Sequence, residues 1–314
     1  MGTDTRSSPR KPLLAVVGTF QQGKSTLVNC LLDDPYAPTG KGVATTRALT
    51  YFRFGEAEEV RLRRGNGDVE FLERREDIFD AERIAELALA EHDRIEVSCW
   101  KPLLRQIDVL DTPGFNAQEQ DDRAALLGVD EADLLVVIVG AKELSQPELR
   151  LLDEIHRRRK RYAVLVNCLE KTGPAAGPSD DQVSDICAAV SSRLESKGQR
   201  PIAIGGEHAI WPCNLLWAWH ALGHLRREAD SSCEREEALQ KLRWIEQHFR
   251  INHEGPVPRP SALLARSQFL PIREMLESYP WRSLQAGLNE SEIILQRAVD
   301  LWDSELRHAL SVSR

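Results

Sequence analysis

Residues 12–32 read PLLAVVGTFQQGKSTLVNCLL. Leu13 to Val17 is a short unbroken apolar run, the pattern of a strand covered on both faces. Gly18 to Gly23 is a loop. From Lys24 to Leu32 the spacing turns helical, with Leu27, Val28 and Leu31 on one side. Gly18, Gly23, Lys24 and Ser25 satisfy G-x-x-x-x-G-K-[ST] in the context that gives this pattern its chemistry, between a strand and a helix. The glycines let the backbone curl around phosphate groups. The loop N–H groups and the helix N-terminus then face an anion. Lys24 is expected to reach the β- and γ-phosphate oxygens, and the Ser25 hydroxyl to bind Mg²⁺.

A second element lies about 90 residues on. Ile107 to Gly114 (IDVLDTPG) is an apolar strand that ends in Asp-x-x-Gly. A carboxylate at that strand end, Asp111, is expected on the far side of the Mg²⁺. The Gly114 N–H is expected to face the γ-phosphate, where a side chain would obstruct. Between the two motifs, residues 38–46 (PTGKGVATT) form a loop before a strand. A threonine there can ligate Mg²⁺ and hold the attacking water through its carbonyl, which makes the loop sensitive to the γ-phosphate. Thr45 is preferred for this role, with Thr46 as the alternative.

Outward from these motifs the chain alternates strands and helices. Strands are expected at Ala48–Phe54, Arg94–Cys99, Gln106–Leu110, Leu134–Val139, Tyr162–Val166 and Pro201–Ile204. A hairpin is expected from Glu59–Arg63 and Val69–Glu73 around the Gly-Asn-Gly-Asp turn at 65–68. Helices are expected at Asp77–Glu91, Glu148–Arg159 and Val183–Glu195. The fold class that follows is α/β, a P-loop NTPase three-layer sandwich with a mostly parallel sheet, plus a short C-terminal helical region. From about Leu215 strand signals stop, and helices are expected near 215–226, 234–250, 261–278 and 289–310. In the last of these, Leu295, Val299, Trp302, Leu306 and Leu310 form one stripe, to pack on the α/β domain or to meet a partner or membrane surface.

The whole chain has 314 residues and a net charge of −8, from 41 Lys+Arg and 49 Asp+Glu. With 42% hydrophobic residues it can bury a core, which excludes disorder as the main state. The acidic balance argues against a polybasic nucleic-acid binder, and no nucleic-acid partner is expected. The longest apolar run, Leu134–Val139, is far short of the ~20 residues of a spanning helix. Six cysteines, none in a C-x-x-C pair, and a polar N-terminus without a signal peptide point to a reduced, cytoplasmic protein. His220 and His224 have helical spacing but no third metal ligand beside them, so they read as structural. The basic run at 156–161 (HRRRKR) reads as a solvated helix end, or as a contact for anionic lipid or nucleic acid.

The segment GTFQQGKSTLVNCLL (18–32) resembles the P-loop of bacterial dynamin-like GTPases. DTPGFN (111–116) and ADLLVVIVGAKELSQPEL (132–149) resemble the same family's third motif and the strand and loop after it. APTGKGVATTRALTYFRFG (37–55) is similar to its first switch. The resemblance spans Pro12 to Leu222. It implies a flexible tail at 1–11, a GTPase (G) domain at 12–225 with an insertion at 57–92, and a helical region at 226–314, too short for a full dynamin stalk. It implies GTP binding and hydrolysis with Mg²⁺, G-domain homodimers that stimulate turnover, and a cytoplasmic location with a protein effector or a peripheral membrane contact. The alternative is a nucleotide-gated effector switch or scaffold with weak hydrolysis and relaxed base choice.

The nucleotide-binding set implied is Gly18, Gln22, Gly23, Lys24, Ser25, Thr26, Gly114, Asn167, Glu170 and Asn214. The catalytic set is Lys24, Ser25, Thr45 and Gln21, and the metal ligands are Ser25, Thr45 and Asp111. One departure from the family is visible, in base recognition, while the lack of a glutamine after the DTPG is a feature that dynamin-like enzymes share. The base-recognition segment reads Asn167-Cys168-Leu169-Glu170, with Cys in place of Lys and Glu in place of Asp. Glu170 can accept hydrogen bonds from guanine N1–H and N2–H₂, with weaker discrimination or adenine tolerance as the alternative. Phe115 follows the DTPG, where other GTPases place a glutamine; a phenyl ring cannot orient water, so intrinsic hydrolysis is expected to be slow. Gln21 or Gln22 is then a candidate to position the water or a charge-compensating cation.

Overall fold

The apolar run at the front of the chain becomes the centre of a nine-stranded sheet in the order β4-β3-β5-β2-β6-β1-β7-β8-β9. A computed structural model of the protein describes residues 10–37, 48–72, 87, 89, 90, 92–116, 119–141, 143–168, 180–202, 210–229, 264, 267–279 and 281. The strands are β1 (Leu13–Gly18), β2 (Leu49–Phe54), β3 (Glu59–Arg63), β4 (Val69–Leu72), β5 (Arg94–Cys99), β6 (Asp108–Asp111), β7 (Leu134–Gly140), β8 (Tyr162–Asn167) and β9 (Ile210–Cys213). The helices are α1 (Lys24–Leu32), α2 (Glu119–Glu131), α3 (Gln146–Arg157), α4 (Asp180–Ser196), α5 (Leu215–Ala229) and α6 (Phe269–Ser278).

β6, β1, β7, β8 and β9 run parallel. Every residue of β8, and all of β1, is buried, as strands covered on both faces must be. β2 reverses direction against β6 and starts a mixed wing, where β5 is parallel to β2 and the β3–β4 hairpin is antiparallel. Side chains of β1 alternate between two cores. Leu14 and Val16 join Leu27, Val28 and Leu31 of α1, Leu215 and Ala218 of α5, and Phe269 and Ile272 of α6. Leu13, Ala15 and Val17 join Ala125 and Val129 of α2, Leu151 and Ile155 of α3, and Val190 and Leu194 of α4. Helices therefore cover both faces, as the three-layer α/β reading requires.

The local chemistry shifts several expected boundaries. The strand expected at Gln106–Leu110 runs Asp108–Asp111, because Leu103–Arg105 is a 3₁₀ turn capped at Gln106. α3 starts two residues before the expected Glu148, since Ser145 and Glu148 form a reciprocal capping box with Pro147 in the first turn. Among the described residues the last strand is Ile210–Cys213; of the expected Pro201–Ile204, Pro201 and Ile202 are not strand, although the Ile202 N–H bonds the Tyr162 carbonyl, and residues 203 and 204 lie outside the described residues. α2 is a helix that the sequence reading did not anticipate. Within the expected helix 261–278, Gln268 takes a left-handed φ of 59°, and α6 begins after it. The expected helices at 77–91, 234–250 and 289–310 lie in whole or nearly so outside the described residues.

Residues 264, 267–279 and 281 pack on the α/β layers rather than apart from them. Asn214 donates its N–H to the Ser267 carbonyl at 2.9 Å, and the Trp281 indole N–H bonds the Leu276 carbonyl at 2.8 Å. Among the described residues no helix is long and apolar enough to cross a membrane.

The end of α1 sets where the chain leaves the core. Asp33 caps the helix in a left-handed turn at φ 51°. Asn29, fully buried, then clamps the departing chain: its amide donates to the Ala37 carbonyl at 2.8 Å and its oxygen accepts from the Ala37 N–H at 2.6 Å. Asn29→Ala leaves both backbone groups of Ala37 without partners. It is expected to lower stability in urea unfolding by about 2–4 kcal/mol, at one unmet buried polar group per bond lost. A loss under about 0.5 kcal/mol, the scatter of neutral substitutions, would show that the clamp contributes nothing.

Candidate functional site

The P-loop, residues 18–23, crosses from the end of β1 to the first turn of α1. Gly23 sits at φ 96°, and a Cβ there would lie 2.9 Å from the Asn167 amide, so both conformation and space call for glycine. Gln21, exposed at the loop's crest, also takes a left-handed φ of 61°. That costs a non-glycine residue on the order of 1 kcal/mol, a strain typical of ligand-holding loops. Lys24 is buried under the loop and donates its ammonium to the Thr19 carbonyl at 3.0 Å. Burial pushes its amine down to about 8, opposed by the nearby charges of Asp111 and Asp121. The cation is thus held desolvated at a loop that contributes backbone donors, which is an arrangement suited to polyphosphate.

β6 ends beside β1 and carries the second motif to the same place. The Ser25 hydroxyl donates to Asp111 Oδ2 at 2.7 Å. Two hard oxygen donors meet here at the lip of the loop, the donor chemistry that Mg²⁺ takes. Thr112 turns its hydroxyl inward to the Val16 carbonyl at 2.9 Å, so it braces the two strands instead of facing the loop. Phe115 donates its N–H to the Gly18 carbonyl at 3.1 Å and accepts from the Phe20 N–H at 3.2 Å. The two motifs are therefore joined by one short parallel bridge. A Cβ on Gly114 would lie 2.9 Å from the Phe20 backbone, so no other residue fits that approach. The Phe115 ring is buried among Leu110, Ala125 and their neighbours. It belongs to the core and presents nothing to water.

β8 supplies the third wall. The Asn167 amide donates to the Gln22 carbonyl at 2.9 Å, and its oxygen accepts from the Leu215 N–H at 3.3 Å. Asn167 thus fastens the P-loop to the first turn of α5. Asn214 is also at this edge, and its side-chain oxygen accepts from the Trp217 N–H at 3.1 Å as the cap of α5. Cys168, just past β8, is buried in the core with its thiol pushed up to about 11 by burial. Thr26, half-buried, continues the first turn of α1. Thr45, Thr46 and Glu170 lie outside the described residues.

One participant escaped the sequence reading. Glu148, buried, accepts from the Gly140 N–H at 2.9 Å and from the Ser145 N–H at 2.7 Å, and the Gln22 amide donates to it at 3.3 Å. It ties the P-loop to the end of β7 and the start of α3. The side chain of Gln22 is therefore turned to this carboxylate. The signal in the sequence was Ser145-x-x-Glu148, the capping-box spacing.

The chain is similar to several known proteins. The dynamin family pattern matches residues 14–169. Dynamin-like protein 2 of Campylobacter jejuni is 34% identical over 162 residues, which cover 49% of this chain and 23% of that protein. The probable transmembrane GTPase FZO-like, chloroplastic, of Arabidopsis thaliana is 27% identical over 159 residues, covering 49% of this chain and 15% of that protein. The chain thus spans less than a quarter of the length of these relatives. A solved structure described as an oligomerised bacterial dynamin pair aligns with a TM-score of 0.44 at 17% identity, over 76% of this chain and 37% of that one. The family match takes in all but the first residue of β1 and every later strand through β8, and over that span the chain is a dynamin-family G domain.

Proposed function

We propose that the protein binds GTP with Mg²⁺ at the P-loop and hydrolyses it to GDP and phosphate. The observation that supports this best is the meeting of Ser25 and Asp111 at 2.7 Å beside the buried Lys24 ammonium. Lys24 and the loop amides stabilise negative charge on the β- and γ-phosphates as it shifts during transfer. Ser25, Asp111 and Thr45 are the proposed metal ligands; bound there, Mg²⁺ would neutralise phosphate charge and orient the oxygens. The Gly114 N–H faces the γ-phosphate in this reading, and Gln21, on the exposed crest, reaches the water or a companion cation. Asn167 holds the loop against the base side, and Glu170 reads guanine.

Phe115 offers no group to orient water, so turnover by one G domain alone is slow. We propose that two G domains meet and complete the site. The helical part after residue 225 is proposed as an appendage closely joined to the domain, supported by Phe269 and Ile272 in the core shared with α5.

Lys24→Met separates binding from folding. The amine's value in the fold, about 8, lies below its ordinary 10.5. The cost of burying the charge is therefore present in full below pH 8 and fades as the pH rises towards 10.5. At pH 7 the variant is expected to lose GTP binding in calorimetry. It should gain about 1–3 kcal/mol in urea unfolding without nucleotide, from the removed desolvation cost less one hydrogen bond. Retained GTP affinity would sink the proposed role of Lys24. Calorimetry with GDP and ADP in Mg²⁺ is expected to favour GDP by at least about tenfold; equal affinities would mean that Glu170 does not read guanine. GTP turnover per protein molecule is expected to rise with protein concentration, and a flat profile would remove the dimer from the mechanism.

A further inference from the structure

The basic run at 156–161 sits at the end of the sheet opposite the P-loop. Tyr162 opens β8, and Asn167 at its other end holds the P-loop, about 17 Å away along the strand. Here the end of α3, the start of β8 and the residue after the turn that follows α4 enclose an open groove of about 450 Å³. It is lined by His156, Arg157, Arg159, Lys160, Tyr162 and Arg200, with no carboxylate among the lining residues.

Part of this positive charge has structural work. Arg157 and Arg158 pair with Glu154, and Arg158 also reaches Asp130 at 2.9 Å. Lys160 donates to the Asp130 and Ala132 carbonyls at the end of α2, as a cation at a helix C-terminus should. That role does not extend to His156, Arg159 or Arg200, whose side chains form no hydrogen bond or ion pair with the described residues. Arg159 is also held at a left-handed φ of 54°. Tyr162, only 3% exposed, has a buried hydroxyl with no hydrogen-bond partner among the described residues. An unmet buried hydroxyl costs on the order of 1–3 kcal/mol, so its position calls for an acceptor.

We propose that this groove is a binding site for a phosphate-type anion, separate from the nucleotide site. Arg159 and Arg200 hold it through their guanidinium groups, the Tyr162 hydroxyl donates to it, and His156 offers an imidazole N–H. Guanidinium forks match phosphate oxygens in pairs, and a doubly charged acceptor offsets the crowding of like charges in the groove. The protein's net charge of −8 means that general attraction to anions cannot supply this binding, so the local constellation must. The phosphate can belong to a soluble compound or to a lipid headgroup.

The test is calorimetric titration of inorganic pyrophosphate into protein saturated with GDP and Mg²⁺, beside co-sedimentation with phosphatidic acid vesicles and phosphatidylcholine vesicles. Binding of pyrophosphate alone, weakened at least tenfold in the double variant Arg159→Gln/Arg200→Gln, assigns a soluble phosphate. Retention on phosphatidic acid vesicles but not on phosphatidylcholine, lost in the same variant, assigns a headgroup. Tyr162→Phe keeps the ring in the core and is expected to weaken either interaction about threefold without lowering the melting temperature of the anion-free protein; it decides the matter if the double variant does not fold. The proposal is overturned if neither probe binds, or if the substitutions leave binding unchanged.

Discussion

A loop whose amides must face an anion cannot spend them on its own structure. That constraint governs the C-terminal edge of the sheet. The P-loop is held from outside, by one contact from each neighbouring strand end or the segment after it. Phe115, just past β6, bridges Gly18 and Phe20. Glu148, beyond β7, bonds Gly140 and Gln22. Asn167, at the end of β8, takes the Gln22 carbonyl. The parallel register of β6-β1-β7-β8 brings these ends to one level. A slip of one residue would turn every apolar side chain to the wrong core and break all three ties at once.

The antiparallel wing is stabilised differently. Its strands carry charge on the less covered face, and the charges are shared. Glu96 meets both Arg53 and Arg63, and Glu131 accepts from the Tyr51 hydroxyl while pairing with Arg94. Asp93 closes the hairpin region. It accepts from the Gly65 and Ala90 N–H groups at 2.9 Å and from Arg64. Although burial alone would raise it, those hydrogen bonds hold its carboxyl below the ordinary carboxylate range. Its ionised form is therefore part of the fold.

The central architecture was legible because burial on both faces writes itself as unbroken apolar runs. Leu13–Val17, Leu134–Val139 and Tyr162–Val166 needed no other signal. The meeting of Lys24, Ser25, Asp111 and Gly114 at the end of β1 was legible because the two motifs have a recognisable spacing. α2 was not, since EQDDRAALLGVDE has an acidic first turn and a glycine inside, and only Ala124, Ala125, Gly128 and Val129 form its buried stripe with Asp121. β9 was displaced because four residues containing Pro212 carry no strand signal until β8 is beside them. Glu148 is the clearest case of tertiary information. Its bond to Gln22 joins residues 126 positions apart, and no local pattern encodes that meeting.

The position of β1 has a consequence in time. It is the first strand of the chain and the centre of the sheet, with Leu13 opposite Asp108 and Leu14 opposite Leu134. A ribosome adding about 5–20 residues per second makes that first strand wait roughly 6–25 s for its second neighbour. Until β6 at residues 108–111 has been made, this apolar segment has neither of its sheet neighbours to join. The order in which the chain is made therefore sets a period of exposure that the finished fold no longer shows.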